Sequence, residues 1–199
     1  MEYTKEIFAQ YNSKTIRVYQ AYNFEIASQA VRLQNFGTNF NTQRMTWIKP
    51  SFLWMMYRSN WGTKKNQECI LALDIDRNFF DSLLERAVLT SPDSTIFTGI
   101  EWEKNFRNTN VYCQWDPDRN INGDSINRSA IQIGIKEQAV TDFLSGAIKN
   151  IEDITPLVRK WNLKRKSGKL TLKDLPTEKI YPIIDKNIRK RLNMKQEKL

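Results

Sequence analysis

"RMTWIKPSFLWMMYRSNWG", residues 44–62, holds three Trp, three Met, a Phe and a Tyr, with Thr46, Lys49 and Ser51 set among them and Arg44 and Arg58 at the rim. The Lys49-Pro50 step divides it, because the residue before a proline is biased to an extended conformation. "RMTWI" (44–48) therefore reads as a short strand, and Ser51 is placed to cap "FLWMMYR", a short helix apolar on nearly every side. A helix of that kind sits at the centre of a domain.

Outward from this stretch, strands and helices intermix. Towards the N-terminus, "TIRVYQAY" (15–22) alternates as a strand, with Ile16, Val18 and Gln20 on one side and Arg17, Tyr19 and Ala21 on the other, outward side. "NFEIASQAVRLQNF" follows as a helix that Asn23 caps and Gly37 ends. Towards the C-terminus, "CILALDI" (69–75) is a continuous apolar run of the kind buried on both faces of a sheet. "RNFFDSLLERAVL" (77–89) reads as an amphipathic helix with Phe80, Leu83, Leu84 and Ala87 inward. "NVYCQWDPDRNINGDS" (110–125) predicts a strand that ends in an Asp-Pro turn and an Asn-Gly turn; "SAIQIGI" (129–135) is another strand, and "KEQAVTDFLSGAIKNI" a helix. The pattern predicts an α+β fold: a single domain with a mixed, mainly antiparallel sheet flanked by helices.

The chain of 199 residues is long enough for one such core, and 40% apolar and 12% aromatic content suits a globular protein. Its net charge of +9 is unevenly placed: residues 159–199 carry 14 Lys and Arg against 4 Asp and Glu, whereas residues 1–158 carry 17 against 18. The expected organisation is a near-neutral body, 1–158, and a basic extension, 159–199, partly docked through "LPTEKIYPII" or flexible. Only Cys69 and Cys113 are present, so no cysteine metal cluster or disulfide framework is visible, and a reducing compartment follows. The first residues have no apolar signal core and no window approaches the roughly 18 to 20 apolar residues of a membrane span. A cytoplasmic protein is expected, with no membrane partner and no metal.

Histidine is absent, which removes a His-based triad and the usual imidazole base. Chemistry falls to carboxylates, hydroxyls, Lys, Arg, Tyr or Cys. "QWDPDR" supplies the carboxylate candidates Asp116 and Asp118, although Asp-Pro is also ordinary turn chemistry. Ser51 at the helix start joins them as a catalytic candidate. Arg17 and Tyr19 on the first strand, with Thr46, Lys49 and Arg58, are candidates for holding a phosphate-bearing cofactor: a strand-borne Arg offers a rigid fork, and free N–H groups at a helix start favour an anion. The same residues also read as core edge and surface ion pairs. No GxxxxGK[ST] or GxGxxG motif occurs. In "RKWNLKRKSGK", Arg159, Lys160, Trp161, Lys164, Arg165 and Lys166 interleave cations with a ring, as a nucleic-acid contact does, or form a solvated charged tail.

Taken in order, "IRVYQAYN", "RMTWIKPSFLWMMYRSNWG", "QWDPDR" and "IQIGI" resemble the hallmark segments of the family known as domain of unknown function 4291, over about residues 15–160. That resemblance implies that the segments belong to one domain. The order of a strand-borne Arg, a strand leading to Ser and aromatics, and a later acidic turn is also similar to the ADP-ribosyltransferase fold. There an Arg steadies the NAD phosphates, the middle motif holds the nicotinamide half and a carboxylate orients the acceptor, which implies Arg17, Ser51 and Asp116 or Asp118 here. The late Glu of that fold is absent from "QWDPDR", and no His-containing middle motif exists. The expectation is a transferase-like enzyme with NAD as the first cofactor to test; the alternative is a non-catalytic RNA-binding module driven by the tail.

Overall fold

The computed structural model describes residues 3–96 and 98–195; the last four residues of the expected basic extension lie outside them. In chain order the strands are β1 (Thr4–Lys5), β2 (Phe8–Ala9), β3 (Thr15–Tyr22), β4 (Thr46–Ile48), β5 (Cys69–Asp76), β6 (Val88–Leu89), β7 (Val111–Arg119), β8 (Ser125–Ile135), β9 (Ile148–Asp153) and β10 (Lys179–Ile180). The helices are α1 (Phe24–Leu33), α2 (Phe52–Ser59), α3 (Arg77–Arg86), α4 (Gly99–Asn108), α5 (Gln138–Asp142), α6 (Thr155–Lys166) and α7 (Lys186–Arg191). Helices flank mixed sheets in an α+β domain.

Among the described residues the strands divide over three sheets. The antiparallel hairpin β7–β8 is the spine of a five-stranded sheet: β6 lies parallel on the outer side of β7, while β1, parallel, and β4, antiparallel, share the other side of β8. A second sheet has the antiparallel order β3-β5-β9, and β10 pairs with β2. Tyr19 N–H donates to Lys49 O at 2.8 Å, which stitches β3 to the chain leaving β4. That bond brings the first two sheets together at Lys49.

The apolar run of β5 has the two buried faces expected of it. Cys69, Leu71, Leu73 and Ile75 point into the main core with Ile16 and Val18, whereas Ile70 and Ala72 join Tyr19, Phe52, Met55, Met56 and Trp61 in a second core. The face of β3 bearing Arg17 and Tyr19 is therefore covered by α2 at Tyr19, which is 1% exposed, while Arg17 stays part-exposed opposite Asp74.

Several local expectations are displaced by tertiary partners. Asp116-Pro117 is not a turn: β7 runs through it to Arg119, with a register shift after Pro117. Proline is tolerated because β6 pairs only with Tyr112 and Cys113, leaving the rest of β7 an edge that needs no N–H there. The turn occurs at Asn120–Asp124 instead, around Gly123 at φ 89°. Helix α3 stops at Arg86, and Val88 and Leu89 extend to pair with β7. The α5 segment leaves helix at Gly146, φ 156°, and its last residues become β9 on the free edge of β5. Helix α1 ends at a left-handed Gln34 rather than at Gly37, because the Gln34 carboxamide bonds both the N–H and the C=O of Ile151. Helix α4 has no counterpart in the sequence reading; it buries no residue fully and offers only Trp102 and Phe106 as an apolar pair.

The division at residue 158 falls inside α6. Beyond it, Leu175, Tyr181, Ile183 and Leu192 are buried and Tyr181 donates to Asp81 Oδ1 at 2.6 Å. No helix among the described residues is long and apolar enough to cross a membrane.

Candidate functional site

Helix α2 positions most of the polar candidates. Ser51 caps it, accepting from Trp54 N–H at 3.4 Å, and its hydroxyl donates to Asp118 Oδ1 at 3.1 Å. Asp118 is 1% exposed; Arg128 Nε donates to its Oδ2 at 2.6 Å and the Arg119 N–H to its Oδ1 at 2.8 Å. The Phe52 N–H donates to Glu178 Oε1 at 2.6 Å. The helix start that attracts an anion thus already holds carboxylates of this chain. Desolvation pushes the Glu178 carboxyl up to about 8; the Phe52 N–H opposes the shift, Asp118 adds to it and Arg128 opposes it. Tyr19 packs edge-on against Phe52 at 5.3 Å, and burial pushes its phenol above the usual range.

The face of the five-stranded sheet that turns away from the main core is polar at its centre. Gln114 and Gln132 are cross-strand partners, and both carboxamides donate to Asp116, Gln114 at 2.9 Å and 3.2 Å to its two oxygens. Trp47 lies across Gly134, where an added Cβ would stand 3.0 Å from the indole ring and 2.8 Å from Met45 Sδ, so only glycine admits it. Lys49, two residues on, donates Nζ–H to Trp47 O at 3.1 Å, an acceptor it shares with Gln20 Nε2, also at 3.1 Å. Desolvation lowers the Lys49 ammonium to about 7; repulsion from Arg58 adds to the shift and attraction from Asp116 opposes it. A half-neutral lysine in the field of a fixed carboxylate is able to act as base or nucleophile near neutral pH.

At its other end α2 borders a cleft of about 460 Å³, lined by Arg58, Lys64 and Arg165, by Tyr57 and Trp61, and by Asn60, Asn120 and Asn122, with no carboxylate among the described residues. Asn60, Trp61 and Gly62 are three successive left-handed residues, at φ 49°, 56° and 70°. For a non-glycine residue that conformation costs about 1 kcal/mol or more, and such outliers gather at ligand clamps. It directs Trp61 inward, against Phe52 at 6.2 Å, with the Arg165 guanidinium 5.2 Å from its ring. Among the described residues the side chains of Arg58 and Lys64 make no hydrogen bond or ion pair. A second cavity, about 520 Å³ beside β6, carries both Lys5 and Asp93 and has no such charge bias.

The predicted residues thus fall into separate groups. Arg58 and Asp116 each act electrostatically on Lys49; Ser51 and Asp118 form the enclosed network at the helix start, and Thr46 is buried at 6% exposure on β4. Arg17 is apart from both: its fork closes on Asp74 through two contacts of 2.8 Å and it reaches Glu152 at 3.4 Å. On α6, Trp161 packs against Phe52 at 5.4 Å, Lys164 pairs with Asp174 at 2.6 Å, Arg165 joins the cleft, and Arg159, Lys160 and Lys166 are exposed. Sequence reasoning missed Gln114, Gln132, Lys64, Arg128 and Glu178. The two glutamines carry a signal, a polar residue inside an otherwise apolar strand; Glu178 has none, since its partner is Phe52.

No curated protein matches this chain. A match over residues 6–181, from before β2 to just after β10, spans all the groups above, and by it the chain belongs to the family described as Domain of unknown function (DUF4291).

Proposed function

We propose that the protein is a transferase-like enzyme that binds a nucleotide or another phosphate-bearing ligand in the cleft at the end of α2, with Lys49 and Asp116 acting on it. The observation that carries this reading is a pair of cations, Arg58 and Lys64, that have no partner among the described residues, beside Arg165 in a cleft lined by no carboxylate of those residues. Unneutralised guanidinium and ammonium groups favour phosphate. NAD is the first ligand to test. An ADP-ribosyltransferase-like use of it would place its diphosphate on Arg58 and Lys64, because Arg17 is engaged by Asp74. The two buried, free cysteines suit a cytoplasmic setting.

The test is a thermal-shift series with NAD, ATP, GTP and short RNA at low and moderate salt, since a ligand bound only by the folded state raises the melting temperature. A salt-tolerant shift with a nucleotide, lost in Arg58→Ala/Lys64→Ala, is expected. No shift with any of the nucleotides overturns the reading.

RNA binding is the second reading, supported by the exposure of Arg159, Lys160 and Lys166 on the helix that also gives Arg165 to the cleft. Replacing those three by Gln separates the two: RNA affinity falls and its salt dependence weakens only if α6 carries the binding.

A further inference from the structure

Strand β6 covers only the start of one edge of β7. The Thr90 N–H donates to Cys113 O at 2.9 Å, so the backbone groups of Cys113 point towards β6. Backbone direction alternates along a strand, and the N–H and C=O of Trp115 therefore point the same way. By then β6 has ended at Leu89, and no described backbone group pairs with them. Pro117, the next residue to face that side, has no N–H and closes the edge. A short length of strand edge is left open between Leu89 and Pro117.

The opening coincides with the second cavity, about 520 Å³, which is lined by Trp115, Thr90, Ser91, Asp93 and Lys5. Its carboxylate is already used: Asp93 accepts from the Thr95 N–H at 3.0 Å, from the Thr95 hydroxyl at 2.6 Å and from Asn193. The Lys5 ammonium and the Thr90 and Ser91 hydroxyls make no hydrogen bond or ion pair with a described residue. Lys5 pairs with Ser129, which in turn pairs with Pro117, so the free ammonium belongs to a residue level with the end of the open edge.

We infer that this cavity binds the C-terminal end of a peptide, which adds to β7 in extended form in line with β6 and turns its terminal carboxylate towards Lys5. An unpaired strand edge is a template for an added strand, with main-chain bonds supplying the affinity. Direction follows from charge: a peptide running parallel to β7, as β6 does, reaches the level of Pro117 with its C-terminus, and a carboxylate there meets an ammonium. The opposite direction would bring a second ammonium to Lys5. Length follows from the edge, because Trp115 alone offers both an N–H and a C=O before Pro117 interrupts, which suits about the last two or three residues of a chain and not a strand passing through.

The probes are two pools of acetylated tetrapeptides, randomised at all positions, one ending in the free carboxylate and one in the amide. Each is titrated into the intact, isotope-labelled protein while hydrogen exchange of single backbone amides is followed by NMR. The Trp115 amide should exchange readily in the free protein and slow with the carboxylate pool, whereas the amide pool should need about tenfold more peptide for the same protection. Lys5→Gln, which changes a part-exposed side chain, should bring both pools to the same weak effect. A Trp115 amide that is protected without peptide, or that the carboxylate pool leaves unchanged, overturns pairing at this edge. Equal protection by the two pools overturns the choice of a chain end, and a tenfold preference that survives Lys5→Gln overturns the placing of the carboxylate.

Discussion

The Ser51 hydroxyl donates to Asp118 Oδ1 at 3.1 Å, tying the first residue of the α2 cap to the far end of β7. Asp118 also accepts from Arg128 and from the Arg119 N–H while only 1% exposed, so removing it strands a part-buried guanidinium and a hydroxyl. Asp118→Ala should lower stability by about 3 to 5 kcal/mol, and Ser51→Ala by about 1 kcal/mol through the lost cap. Urea denaturation with an unchanged slope checks both. An Asp118→Ala variant as stable as the parent would show that the network does not hold α2.

Glu178 and Lys49 give stability two pH dependences of opposite sign. The Glu178 carboxyl rises from 4.5 to about 8 on folding, so the native state holds more protons in that window; its contribution is complete below 4.5 and is lost as pH rises through about 8. The Lys49 ammonium falls from 10.5 to about 7, so the native state holds fewer protons; that contribution is present above 10.5 and is lost as pH falls through about 7. Melting temperature followed from pH 5 to pH 9 should decline less steeply for Glu178→Gln than for the parent. Identical profiles would mean that Glu178 is ionised in the folded protein throughout.

Arg17 and Asp74 form a two-pronged pair between adjacent strands, with side chains 23% and 22% exposed. Arg17→Ala should cost about 1 to 2 kcal/mol of stability and leave nucleotide affinity within about twofold. Calorimetric titration of this variant separates a structural from a ligand-binding role: a large loss of affinity would restore Arg17 to the site.

Arg58 and Lys64 are exposed and have no partner among the described residues, so replacing them should touch binding and not folding. Each change to Ala should weaken pyrophosphate or nucleotide binding by about tenfold with stability changed by less than about 0.5 kcal/mol. Equilibrium titration of the single and double variants checks both halves of this expectation.

A chain ended at residue 158 should fail to fold. It would lose most of α6, Trp161 from against Phe52, and the buried Leu175, Tyr181 and Leu192. Circular dichroism should show lost structure and no cooperative melt. A cooperative transition in that fragment would mark 159–199 as an appendage.

Local patterning made much of the fold legible. Alternation in β3, the apolar run of β5, and Asn23 and Ser51 ahead of their helices are short-range signals that nothing distant overrides. Where the pattern misled, a distant strand took the residues: Val88 and Leu89 went to β7, and the end of the α5 segment went to β5. Edge pairing satisfies backbone groups that a local propensity of a few tenths of a kcal/mol per residue does not outweigh.

For the candidate site the division is sharper. The amino-acid sequence determined the inventory: no histidine, two cysteines, a Ser-capped aromatic helix, Asp116 and Asp118 two residues apart, and a lysine before a proline. Tertiary structure alone decided how that inventory is used. Pairing of β3 with β5 set Arg17 opposite Asp74, a β4–β8–β7 face set Lys49 in the field of Asp116, and Glu178 returned across 126 residues to the N–H of Phe52. The reason is that a charge's role depends on which opposite charge and how much water lie within a few ångströms of it, and strand register, not sequence spacing, sets those neighbours.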